Sequence, residues 1–68
     1  MTTKLKLYRD KRRLTQAAVA HAVGMSERSY NVHERGKGGA CRTRNQDAIA
    51  EVLGVSKALL FYVSGLAR

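Results

Sequence analysis

The stretch that most constrains this chain runs from Thr15 to Gly36, TQAAVAHAVGMSERSYNVHERG. Its hydroxyl residues and glycines are spaced for two short helices with a tight corner between them. Thr15 can cap a helix by offering its side-chain oxygen to an orphan backbone N–H, and Ala17, Ala18, Ala20 and Ala22 behind it are strong helix formers. Leu14, Val19 and Val23 recur at roughly helical spacing and mark one face for burial, while Gln16 and His21 fall elsewhere on the wheel. Gly24 supplies the left-handed backbone that ends a helix. Ser26 can cap the next one, with Glu27 favourable near its positive dipole end. Only Met25 and Ser26 remain to turn the corner. The second helix should run through Tyr30 and His33 to Gly36, displaying Glu27, Arg28, Asn31, Val32 and Arg35 on its other sides.

The pattern T-Q-x-x-V-A-x-x-V-G-M-S-x-x-S-Y-x-x-x-E-R-G resembles the helix-turn-helix of Cro and the phage repressors, the XRE family. Upstream, Tyr8-Arg9 look like the apolar-Arg pair of that family's first helix. Downstream, Leu53-Gly54-Val55-Ser56 look like the junction of its last two helices. The resemblance covers nearly all of the chain. It implies an all-α, five-helix, lambda-repressor-like domain over residues 1–68, with the DNA-binding motif at 15–36. It also implies that Arg9 pairs with Glu34 and fixes the recognition helix against the first helix, a role in stability and not in base reading. Breaking such a buried pair typically costs about 3–5 kcal/mol.

Charge points the same way. With 13 Lys and Arg against 5 Asp and Glu, the net charge is +8 and the pI near 10.4, which attracts phosphates. At 68 residues, a domain buries only about 60% of its unfolded surface and leaves no room for a second sensing or catalytic domain. No small-molecule effector is evident. There is no apolar run near the roughly 18 residues of a membrane span and no secretory signal, so a cytoplasmic protein is expected. A single cysteine, Cys41, and two widely separated histidines make neither an internal disulfide nor a zinc set. No metal and no cofactor are expected.

Residues 3–13, TKLKLYRDKRR, suit a first helix capped by Thr3 with Leu5 and Tyr8 inward, and Lys4, Lys6, Lys11, Arg12 and Arg13 mostly solvated. Thr15 and Gln16 stand at the next N-terminus, where side chains and backbone N–H groups can meet a phosphate; the resemblance gives Gln16 that role. His21 reads as a surface histidine. The recognition helix places its N-terminal residues in the major groove, which nominates Ser26, Glu27, Arg28 and Ser29, with Val32 one turn on. The Arg28 fork can take guanine O6 and N7 together, Glu27 can accept from a cytosine amino group, and Val32 can touch a thymine methyl. Glu27 serves equally well as a dipole-stabilising residue. Asn31 could bind adenine or phosphate, or point sideways, and Arg35 is a candidate for the DNA backbone. Tyr30 and His33 occupy positions usually apolar in the family and are expected to face the core with their polar tips near the surface.

The segment GKGGACRTR, 36–44, departs from the family: it is one residue longer than usual, lacks proline, and puts Thr43 and Gln46 where apolar anchors are expected. Lys37, Arg42 and Arg44 flank its glycines and suit the DNA backbone. Thr43 or Asn45 should cap a fourth helix to about Leu53, with Ala48, Ile49, Val52 and Leu53 inward and Gly54 ending it. Ser56 should cap a fifth, over about 56–64, carrying Leu59, Leu60, Phe61, Tyr62 and Val63 in succession. Five consecutive apolar residues cannot all face one small core, and exposed apolar clusters mark interaction surfaces. A homodimer through this helix and Leu66 is expected, setting two recognition helices about 34–36 Å apart on the duplex.

The expected function is a sequence-specific transcriptional regulator, a repressor on a palindromic operator. With no nucleophile–base set or phosphate loop, an enzyme is not expected. An antitoxin-type protein-interaction module that also binds DNA is the alternative.

Overall fold

The computed structural model describes residues 3–37 and 39–68, which form five helices: α1 Lys4–Lys11, α2 Gln16–Val23, α3 Glu27–Glu34, α4 Thr43–Leu53 and α5 Lys57–Leu60. The caps set most of these limits. Thr3, Thr15, Ser26 and Ser56 each hold extended backbone and accept an N–H from the first turn with their side-chain oxygens. Gly24 and Gly54 close α2 and α4 at φ 75° and 71°. At α3, Gly36 N donates to His33 O at 2.9 Å and Lys37 N to Val32 O at 3.0 Å, the paired bonds that satisfy the last carbonyls.

Helix α4 begins differently from expectation. Arg42 is its N-cap and no side chain among the described residues caps it, so neither Thr43 nor Asn45 has that role. Gln46 takes the apolar anchor's place in the core, because its Nε2 donates to Cys41 O at 2.7 Å and so satisfies a buried amide.

The largest departure is at the C-terminus. The helix expected over 56–64 stops at Leu60, and the chain enters extended backbone at Phe61 (φ −132°, ψ 146°). It then reverses through a turn in which Gly65 N donates to Tyr62 O at 2.8 Å, and Phe61 pairs antiparallel with Ala67. Gly65 sits at φ 92° with a Cβ position bounded by Ala40, Cys41 O and Gln46 Nε2 at 3.0–3.2 Å, so only glycine fits this corner. The reversal ties the end of the chain to its start, with Lys4 N donating to Arg68 O at 2.6 Å and Cys41 N to Gly65 O at 2.9 Å.

Helix α2 packs on α3 and α4, α1 on α3 and α5, and α4 on α5. Leu5, Val19, Ala20, Tyr30, Cys41, Ile49, Ala50, Leu53, Leu60 and Phe61 fill the space between them. Helices α1 and α2 thus hold α3 by one side and leave its other side facing out.

Candidate nucleic-acid interface

Helix α3 is anchored through Glu34 and Tyr30, which are buried on its inner side. Glu34 is 3% exposed and meets the Arg9 guanidinium with two parallel bonds, Arg9 Nη2 to Glu34 Oε1 at 2.6 Å and Nε to Oε2 at 2.8 Å. Arg9 Nη1 donates to Leu14 O at 2.8 Å, so the same side chain also braces the entrance to α2. Burial by itself would raise the Glu34 pKa, but the hydrogen bonds from Arg9 and Gln16 and the Arg9 charge outweigh it and hold the carboxyl below its usual range. The bond to Glu34 raises Arg9 correspondingly. Thr3 adds a bond from its hydroxyl to Glu34 O at 2.5 Å. Among the described residues the buried Tyr30 hydroxyl has no hydrogen-bond partner, and its pKa is raised by desolvation.

With that side fixed, Glu27, Arg28, Asn31, Val32 and Arg35 line one shallow surface of α3. Glu27 and Arg28 are exposed and Val32 is half-buried. The two serines at the start of the helix are tied to each other: Ser26 Oγ accepts the Ser29 N–H at 3.1 Å and donates to Ser29 Oγ at 2.9 Å. Ser26 is therefore committed as the cap, and Ser29 keeps its own proton to offer. Asn31 is not free either. It donates to Gln16 Oε1 at 2.9 Å and accepts from Arg35 Nη1 at 3.3 Å, while Gln16 Nε2 donates to Glu34 Oε1 at 3.1 Å. Thr15 Oγ1 caps α2 through Ala18 N at 3.0 Å and stays exposed beside Gln16.

Arg28 and Arg35 belong to this surface, and Arg42 lines the neighbouring concavity with Ser29 and His33. Lys37, Arg42 and Arg44 are exposed on the loop and the start of α4; Gly38 of that loop lies outside the described residues. Three of the five acids, Asp10, Glu34 and Asp47, are paired with Lys6, Arg9 and Lys57. Among the described residues Arg28, Arg35, Lys37, Arg42 and Arg44 make no ion pair, so their charge faces solvent.

A family model described as a helix-turn-helix domain matches residues 1–60. The chain belongs to the helix-turn-helix domain family. No curated protein and no solved structure matches it.

In this helix-turn-helix domain α2 and α3, with the corner at Gly24–Ser26 between them, stand as the two helices of the motif, the motif of DNA-binding domains. His33, expected to face the core with its polar tip near the surface, is half-buried at the rim of a polar concavity with Ser26, Ser29, Arg42 and Asn45, and burial holds its pKa below the ordinary histidine value. The residues expected to dimerise divide into two sets. Leu60 and Phe61 are 0% and 3% exposed and belong to the domain's own core, because the chain bends at Phe61. Leu59, Tyr62, Val63 and Leu66 remain exposed around the C-terminal reversal. Arg12 is exposed, as expected, but it also donates from Nε to Leu53 O at 3.0 Å at the end of α4; its partner lies 41 residues away, beyond the reach of local pattern. No helix among the described residues is long and apolar enough to cross a membrane.

Proposed function

We propose that this protein is a sequence-specific transcriptional regulator of the Cro and phage-repressor type, which binds a palindromic operator as a homodimer and represses by occupying it. The observation that carries the reading is the arrangement of α3: its Glu34 side is locked by Arg9, while Glu27, Arg28 and Val32 share a surface with Arg35, and Arg28 and Arg35 make no ion pair among the described residues. Arg28 reads guanine, Glu27 reads cytosine and Val32 touches a thymine methyl. Thr15, Gln16, Arg35, Lys37, Arg42 and Arg44 take the phosphates on either side. The protein acts in the cytoplasm by occupancy and not by catalysis.

Leu59, Tyr62, Val63 and Leu66 supply the dimer contact, which supports two recognition helices on one face of the duplex. The same exposed apolar surface is what an antitoxin-type module would offer to a protein partner. Fluorescence anisotropy of labelled duplex DNA across a salt series tests the DNA reading. Log affinity should fall linearly with log salt by about 0.9 per neutralised phosphate. Absence of binding at about 50 mM salt, well below physiological ionic strength, would remove it.

A further inference from the structure

The side chains Arg35, Asn31, Gln16 and Glu34 form a chain of hydrogen bonds whose direction is fixed at both ends. Glu34, ionised in its pair with Arg9, can only accept, so the Gln16 atom 3.1 Å from it is the donating nitrogen. The Gln16 carbonyl then faces Asn31, whose nitrogen donates to it at 2.9 Å. The remaining Asn31 oxygen faces Arg35, which can only donate, at 3.3 Å. Neither amide can turn over without setting acceptor against acceptor or donor against donor.

Reading adenine with asparagine needs an acceptor for N6–H and a donor for N7 presented together. The Asn31 oxygen already serves Arg35 and one of its N–H groups serves Gln16, so each end of this amide could reach a base only by sharing the atom it has given to the protein. Gln16 has likewise engaged its carbonyl with Asn31 and one N–H with Glu34. Its second N–H is the group that suits a phosphodiester oxygen, which only accepts.

We infer that Asn31 is a positioning residue and not a base reader: it orients the Gln16 amide so that an N–H, and not the carbonyl, is what Gln16 has left for a phosphodiester oxygen. The inference rests on the DNA-binding reading. It is tested with the intact protein, a duplex that it selects, and every single-base variant of that duplex. Asn31→Ala weakens binding to all of them alike, by about three- to tenfold, the worth of one hydrogen bond, and leaves the order of preference unchanged. Asn31→Ala combined with Gln16→Ala binds within about twofold of Gln16→Ala alone, because Asn31 acts through Gln16. A changed preference at one base pair, or losses that simply multiply, would overturn the assignment. If the wild-type protein binds no duplex, the DNA-binding reading itself has failed. Should Asn31→Ala not fold, the wild-type side-chain amide protons decide the matter by NMR: the Asn31 proton given to Gln16 stays protected when DNA is added, and its release would contradict the inference.

Discussion

Arg12 lies across Gly54. Its Nε holds the Leu53 carbonyl at 3.0 Å, and a Cβ built on Gly54 would collide with Arg12 Nη2. The end of α1 thereby stoppers the end of α4, a tie between distant parts of the sequence that rests on the missing glycine side chain.

Gly54→Ala is therefore expected to cost about 2–3 kcal/mol, combining the left-handed backbone at φ 71° with the displaced Arg12 bond. Urea denaturation measures it. In an Arg12→Ala background the same substitution should cost less, since the collision is gone. An equal cost in both backgrounds would show that Arg12 does not occupy that space.

Helix α3 should loosen in acid. Because the Glu34 carboxyl is held below its usual value of 4.5, the unfolded chain takes up the proton first as pH falls. The stability contributed by the pair is complete above about pH 4.5 and is lost as pH falls through the folded-state value. Asp10, lowered by its hydrogen bond from exposed Lys6, adds to the same slope. Denaturation of Asp10→Asn from pH 7 to 3 removes that share and should leave the slope due to Glu34; a flat profile would deny the ion pair its role. Glu34→Gln should lose about 3–5 kcal/mol at neutral pH by stranding Arg9.

Base and backbone contacts separate by substitution. Arg28→Ala should cost about 1–3 kcal/mol and relax preference at one base pair. Lys37→Ala should weaken every sequence alike and reduce the salt slope by about 1. Competition binding at several salt concentrations reads both, and a uniform loss for Arg28→Ala would take it off the list of base readers.

The C-terminal apolar residues make opposite predictions according to their place. Val63 is fully exposed, so Val63→Glu should leave thermal stability of the monomer unchanged while shifting sedimentation toward a single chain. Phe61→Ala should instead lose about 3–5 kcal/mol by emptying the core. A Val63→Glu protein that still dimerises would move the interface elsewhere.

Much of this fold is legible in local sequence, because caps and stops act within a few residues. Thr3, Thr15, Ser26 and Ser56 begin their helices, and Gly24 and Gly54 end theirs, as short-range hydrogen bonding dictates. What decides the C-terminus is not local. KALLFYV is as compatible with helix as with strand, and the choice falls at Gly65, whose corner is shaped by Ala40, Cys41 and Gln46. The site divides in the same way. Helical spacing brings Glu27, Arg28 and Val32 to one side, whereas the bonding of Asn31 to Gln16, 15 residues earlier, depends on how α2 and α3 pack. Gln46 at an apolar position becomes intelligible only once Cys41 O is seen to need a donor.

The most direct test of the central claim is selection of binding sites from random duplex DNA by the intact protein, at about 150 mM salt so that nonspecific attraction is screened. An inverted repeat with half-sites centred about one helical turn apart is the predicted result. Recovery of bound DNA with no shared motif would contradict it.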